Sequence, residues 1–245
     1  MNMVPFKDER DLDARLAAYK GSVNNDYMNR RRYVEELEDL YYFDDGDLYI
    51  GTEKNGRWHV TYYLKENKPL DLNEALVTEI VGRRPDTSAA EAVGFRLYKM
   101  RLRLRLRLKE ELGEISPRVA TLDDVDFVAR GIAAFDPVSG NHQSTDEIER
   151  DVREGRVIGI PGAGFLQYSV SPTEQTIEHL YVEPSRRGRG LALELVKHYV
   201  AACIEKKRAT VWTDAEGGAA GLYEKAGFRK DGFHSAVMVY APELK

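Results

Sequence analysis

Period-two alternation is cleanest between Met100 and Lys109, which read M-R-L-R-L-R-L-R-L-K. Successive strand side chains point to opposite faces, so this run predicts a strand with leucines on one side and Arg101, Arg103, Arg105 and Arg107 on the other. Upstream, residues 11–19 and 27–40 carry helical spacing, with Val34, Leu37, Leu40 and Tyr41 near one face. Asp44-Asp45-Gly46-Asp47 is a turn, and residues 48–53 and 57–64 read as two strands joined by Lys54-Asn55-Gly56, an Asn-Gly hairpin signal. A strand over 75–82 and a short helix over 89–93, ended by Gly94, come before the alternating run.

Glu110 to Pro117 stops the alternation with charges, a glycine and a proline, which marks a linker. The pattern restarts at Arg118-Val119-Ala120-Thr121. Thr121 is an N-cap with Asp124 three residues on, and Leu122, Val125, Val128 and Ile132 form an apolar helical stripe. A polar loop over 136–145 and a helix over 146–154 follow, then strands over 156–160, 164–170 and 177–182. A helix over 191–206, a strand over 209–213, a helix over 219–226 closed by Gly227 and two strands within 228–240 end the chain. The organisation expected is an α+β domain over 1–112 and a second domain over 116–245. The order in the second is β-α-α-β-β-β-α-β-α-β-β, an α/β arrangement with helices packed on a mixed sheet.

Composition narrows the function classes. The 245 residues suffice for two domains, and a formal net charge of -5 argues against general nucleic-acid binding. The single cysteine, Cys203, excludes internal disulfides and a thiolate zinc cluster, and its place on the stripe of the 191–206 helix makes it core filler. No histidine pair has metal-ligand spacing, so no metal is expected. The N-terminus lacks the order of a signal peptide and no apolar run reaches a membrane span, which points to a cytoplasmic protein without a membrane partner. The arginine row reads either as a groove for an anionic, RNA-linked acceptor or as a charged sheet face that resists aggregation. Trp212 is expected to pack, and His142 to be an exposed loop residue.

The chemistry concentrates in T-I-E-H-L-Y-V-E-P-S-R-R-G-R-G-L-A-L-E-L, residues 176–195. Strand, basic glycine loop, helix is a phosphate-holding layout. Gly188 and Gly190 let the backbone approach a ligand, the first orphan N–H groups of the helix point at it, and Arg186, Arg187 and Arg189 add charge.

Three segments, R-V-A-T-L-D-D at 118–124, L-Y-V-E-P-S-R-R-G-R-G-L-A at 180–192 and A-A-G-L-Y-E-K-A-G-F-R at 219–229, resemble the GCN5-related N-acetyltransferase (GNAT) family. The family's acetyl-CoA signature is met by Arg187, Gly188, Arg189, Gly190, Leu191 and Ala192. The resemblance covers residues 116–245 and implies a GNAT acyl-CoA N-acyltransferase fold, with acetyl-CoA as acyl donor and no metal. It implies splayed fourth and fifth strands whose unpaired groups at Leu180, Tyr181 and Val182 hold the pantetheine arm, with the pyrophosphate on the 187–192 amides. Glu178 stands where family members place a base, with neighbouring His179 or a water relay as fallback, and Tyr223 matches the general acid for the departing thiolate. Where the family usually has an asparagine on the cofactor arm, this chain has Glu216, which cannot donate a hydrogen bond there.

The function implied is acetyl transfer to a primary amine by direct attack in a ternary complex, the acceptor being a small amine, an amino acid or a peptide N-terminus. The alternative is a CoA-thioester-binding sensor or assembly module without turnover; a homodimer is compatible with either. A-A-E-A-V-G-F-R at 89–96 can be laid on L-Y-E-K-A-G-F-R at 222–229, which places Ala90 opposite Tyr223. The first half is therefore expected to be either a degenerate GNAT-like copy without cofactor or an unrelated α+β cap.

Overall fold

The computed structural model describes residues 3–26, 30–107, 119–202 and 208–241, with Arg107 and Ala202 described by their backbone only. The expected linker at 110–117, the start of the 27–40 helix and Cys203 lie outside the described residues. The chain divides into one unit of Met1–Met100 with Phe233–Lys245, and another of Arg101–Gly232. The C-terminal strand therefore belongs with the N-terminal half, and most of the arginine-leucine run belongs with the C-terminal half.

The elements of the first half are β1 (Val4–Pro5), α1 (Glu9–Ala18), β2 (Val23–Asn24), α2 (Arg30–Glu35), a 3-10 turn (Leu37–Asp39), β3 (Tyr41–Asp44), β4 (Leu48–Lys54), β5 (Arg57–Leu64), β6 (Leu76–Gly82), α3 (Ser88–Ala92) and β7 (Arg96–Arg107). Asp8 caps α1, its carboxylate accepting the Asp11 N–H at 2.9 Å. Asn55 and Gly56 both take left-handed backbones, φ 52° and 69°, the conformation a two-residue hairpin requires. Of the helix expected over 27–40, the described part is shorter, and Tyr41–Asp44 leaves it to become a strand. Tyr41, expected near the apolar face of that helix, pairs instead with Gly51 of β4.

The second half continues with a 3-10 turn (Leu122–Asp124), α4 (Val125–Ala133), α5 (Thr145–Arg153), β8 (Val157–Ile160), β9 (Gly164–Val170), β10 (Gln175–Val182), a 3-10 turn (Pro184–Arg186), α6 (Leu191–Ala202), β11 (Arg208–Asp214), α7 (Ala220–Lys225) and β12 (Arg229–Tyr240). Thr121 donates its N–H to the Asp124 carboxylate at 2.9 Å, closing the expected cap. Val125, Val128 and Ile132 are buried, but Leu122 is half exposed because it sits in the tighter turn ahead of α4. The last segment forms one strand where two were expected. Gly232, φ 80°, kinks the strand without reversing it, and the chain passes there from the second unit into the first.

Each unit has the same five-strand core order. In the first, β3-β4-β5-β6-β12 pair antiparallel, antiparallel, parallel and antiparallel. In the second, β8-β9-β10-β11-β7 repeat that sequence of pairings. Each core also takes its final strand from the far half of the sequence, in both cases the strand that follows a Gly-Phe-Arg tripeptide, 94–96 or 227–229. Tyr62, Leu76, Phe95, Met238 and Tyr240 anchor the core of the first unit; Leu104, Leu166, Leu195, Tyr199 and Phe228 anchor that of the second.

The leucine face of β7 is core, Leu102 and Leu104 being buried. On its other face Arg101, Arg103 and Arg105 are partly buried and internally paired. Arg103 bonds Asp231 at 2.7 Å and lies 5.5 Å from the Trp212 ring, while Arg105 reaches Glu174 at 3.4 Å. These three arginines thus form neither a solvated face nor an open anionic groove.

Candidate functional site

The site is built on β10. Its parallel pairing with β11 runs over Gln175↔Ala209, Thr176↔Thr210 and Ile177↔Val211 and stops there, whereas its antiparallel pairing with β9 continues to Val182↔Gly164. From Glu178 onward the β11-facing edge of β10 carries no ladder, which places Leu180, Tyr181 and Val182 on an open strand edge. A bulge falls at the same point, where the register with β9 jumps from Ile177↔Tyr168 to His179↔Gln167 and leaves Glu178 as the extra residue. Bulges re-aim side chains, and this one separates the fates of neighbours. Glu178 is half-buried and accepts hydrogen bonds from Ser169 Oγ at 2.6 Å and Asn141 Nδ2 at 3.2 Å. His179 is 1 % exposed with both ring nitrogens engaged, Nδ1 by Gln167 Oε1 at 2.7 Å and Nε2 by the Gly140 carbonyl at 2.9 Å.

Beyond β10 the chain enters the glycine-arginine loop. Gly188 and Gly190 have φ 75° and 80°, and a Cβ added at either would meet nothing within 4 Å, so the space beside them is open. The first bond into α6 is Glu194 N–H to the Gly190 carbonyl at 3.0 Å, and no described residue accepts from the N–H groups of residues 188–193. These donors, with the positive end of the helix behind them and Arg186, Arg187 and Arg189 exposed around them, form an anion seat. Arg187 also donates from Nε to the Val182 carbonyl at 3.0 Å. A groove of about 500 Å³ continues along α6 past Gly190, Leu193, Glu194, Lys197 and His198. The residues present thus fit a coenzyme with a diphosphate and an extended amide-bearing arm.

Tyr223, on α7, is 5 % exposed and packs edge-on against Phe228 at 5.9 Å. It shares an apolar cluster with Leu180 of the open edge. Its hydroxyl makes no hydrogen bond with any described residue, and burial raises its pKa well above the ordinary phenol value. At neutral pH it is a protonated donor. Glu216 is exposed on the loop after β11, where its N–H is taken by Asp214 Oδ1 at 3.0 Å. His142 is half-buried, Nε2 paired with the Asp136 carbonyl at 3.0 Å, and Trp212 packs under Arg103. Sequence reading missed Ser169 and Asn141, because contacts across the 136–143 loop leave no local signature; the one available hint was the tolerance of asparagine for the left-handed backbone found at Asn141, φ 47°.

Residues 148–230 match the family model described as Acetyltransferase (GNAT) domain. Among solved structures the chain is similar to a GCN5-related N-acetyltransferase from Sphaerobacter thermophilus, at 13 % identity over 87 % of this chain and 86 % of that one, TM-score 0.56. It is similar to a tandem GNAT protein from the clavulanic acid biosynthesis pathway at 12 % identity over 97 % of both chains, TM-score 0.55. An acetyltransferase from the GNAT family of Colwellia psychrerythraea gives 12 % identity over 98 % and 99 %, TM-score 0.54. No curated protein matches the chain. At these identities the likeness establishes the fold, and it extends across both halves. Among the described residues no helix is long and apolar enough to cross a membrane.

Proposed function

We propose that the chain is an acetyl-CoA-dependent N-acetyltransferase acting on a primary amine, its single site lying in the C-terminal half. The observation that carries this reading is the end of β10–β11 pairing at Ile177/Val211, followed directly by the unsatisfied N–H groups of residues 188–193. An acyl thioester brings its own activation, and the protein's part is placement and proton transfer. The open edge at Leu180, Tyr181 and Val182 offers an N–H to the thioester carbonyl, where negative charge grows as the amine attacks. A free alkylamine has a pKa of roughly 10, so its proton must be taken, and Glu178, steadied by Ser169 and Asn141, accepts it directly or through water. As the carbon–sulfur bond breaks, Tyr223 gives its hydroxyl proton to the thiolate, a role suited to a phenol that burial keeps protonated.

The N-terminal half is read as a copy of the fold that does not bind coenzyme. It has Ala90, fully buried, where the other half has Tyr223, and the strand after its chain reversal leads into a loop with no helix corresponding to α6.

Calorimetry with acetyl-CoA, followed by turnover across an amine panel, tests the proposal. Tyr223→Phe should retain the heat of coenzyme binding and lose about 10²-fold or more in kcat. Tight binding with no acylation of any amine, unchanged in the variant, would make the protein a coenzyme-binding module instead.

A further inference from the structure

The proton inventory around His179 closes only when its ring carries two protons. Gln167, fully buried, has Nε2 at 2.5 Å from Asp151 Oδ2 and 2.6 Å from Gln143 Oε1, both acceptors, which leaves its Oε1 as the atom facing His179 Nδ1. Gln143 is held in its own orientation by donating from Nε2 to Asp151 at 3.2 Å. Asp151, 8 % exposed, is ion-paired with Arg156 at 2.7 Å. On the far side of the ring, Nε2 faces the Gly140 carbonyl, an acceptor at any pH. A neutral imidazole has one donor and one lone pair, and a lone pair 2.9 Å from a carbonyl oxygen is repulsive, so a neutral ring must give up one of its two partners. Gln167 lies in a paired strand and Gly140 in a loop, so the loop yields.

Resting on the acetyltransferase reading, we propose that the His179 imidazolium is a positioning group: it latches residues 136–143 against β10, bringing Asn141 to Glu178, and loss of its second proton releases them. The loop is built to be held this way. Arg101 donates to the Ser139 carbonyl, and Asp136 Oδ1 accepts the N–H of Val138 at 2.8 Å and of Ser139 at 3.3 Å. A side chain at Gly140 would meet the Asp136 carbonyl at 2.4 Å, so the turn closes only around glycine.

The groups acting on the ring are Asp151 on α5, ion-paired with Arg156, and His142 of the loop, with the Phe135 ring packed against it at 4.9 Å. Burial is the largest influence and lowers the pKa of His179; His142 lowers it further, while the Gly140 carbonyl and Asp151 raise it. The latch therefore closes on the acid side of the ordinary histidine value, about 6.5, and opens as pH rises.

The test uses the full chain with 15N-histidine, followed by NMR from pH 5 to 8, with amide exchange of residues 136–143 measured in parallel. Both His179 ring nitrogens should be protonated where the loop is protected, and exchange should quicken by about tenfold or more as the second proton leaves. His179→Leu should lose that protection at every pH, whereas Asn141→Ala should keep the protection and its pH dependence while lowering kcat. A singly protonated ring in a protected loop, or protection with no pH dependence, overturns the latch, and either result is readable even from a chain that acylates nothing. Absence of acetyl-CoA heat in a chain whose loop titrates as described would instead remove the acetyltransferase reading and leave the latch standing.

Discussion

The two halves share a strand order and differ in what fills the same two places. In the C-terminal half the edge of β10 past Ile177 is open, and no described residue accepts from the N–H groups of residues 188–193 in the loop after it. In the N-terminal half both places are filled by the chain itself. There β5 pairs with β6 only at Trp58↔Leu76 and His59↔Val77, and beyond that point β2 joins the freed edge at Tyr63 and Leu64. Asn25 bridges the gap, accepting the Tyr62 N–H at 2.8 Å and donating to the Glu79 carbonyl at 2.8 Å and Thr78 Oγ1 at 2.7 Å. The turn after β5 donates four N–H groups to a fully buried carboxylate, with Lys65, Glu66 and Asn67 on Asp47 Oδ1 and Lys68 on Oδ2, at 2.6 to 3.2 Å. An extended segment and a carboxylate thus fill, in this half, the strand edge and the turn that correspond to the open edge and the donor-rich loop of the other. The lesson is that splayed strands and a donor-rich turn must be satisfied by something, and a side chain serves as well as a ligand.

The largest expected effect tests the filled half. Asp47→Ala removes the buried carboxylate that four N–H groups of the exposed turn share, and the loss of these charge-assisted bonds should cost about 3–4 kcal/mol in denaturant unfolding, with no new affinity for coenzyme because Asn25 still occupies the gap. Retained stability would show that the turn does not need its anion. Asn25→Ala should cost about 2 kcal/mol by the same measurement and quicken amide exchange at Tyr62. A smaller effect tests the open half: Gly190→Ala meets no steric block but must hold φ 80°, which costs about 1–2 kcal/mol, so acetyl-CoA affinity should fall roughly tenfold while the unfolding of the N-terminal half is unchanged. Unaltered affinity would mean that the turn at 188–190 does not seat the diphosphate.

Much of the candidate site was legible because its signals are local. The glycine-arginine loop, the helix start near Leu191 and Tyr223 on a helix closed by Gly227 each follow from a few consecutive residues. The roles of His179, Gln167 and Asp151 were not legible, since each partner lies more than ten residues from the next and a buried amide has no sequence signature. Asp47 looked like one more turn aspartate, and only its 0 % exposure reveals the anion it supplies to a turn eighteen residues on.

By itself the sequence determined that Arg101 to Arg107 is a strand, that glycines turn the chain at 188–190 ahead of a helix, and that Gly-Phe-Arg recurs ahead of a strand in each half. Those are properties of period, φ tolerance and spacing, all carried by neighbours along the chain. Only the tertiary structure decided that the arginine strand completes the C-terminal core while Phe233 to Tyr240 completes the N-terminal one, and which half keeps its cleft open. Strand exchange is invisible to local pattern because an alternating strand suits either sheet. The choice is made by pairings between residues more than a hundred positions apart, such as Leu104 with Val211 and Ser235 with Val81.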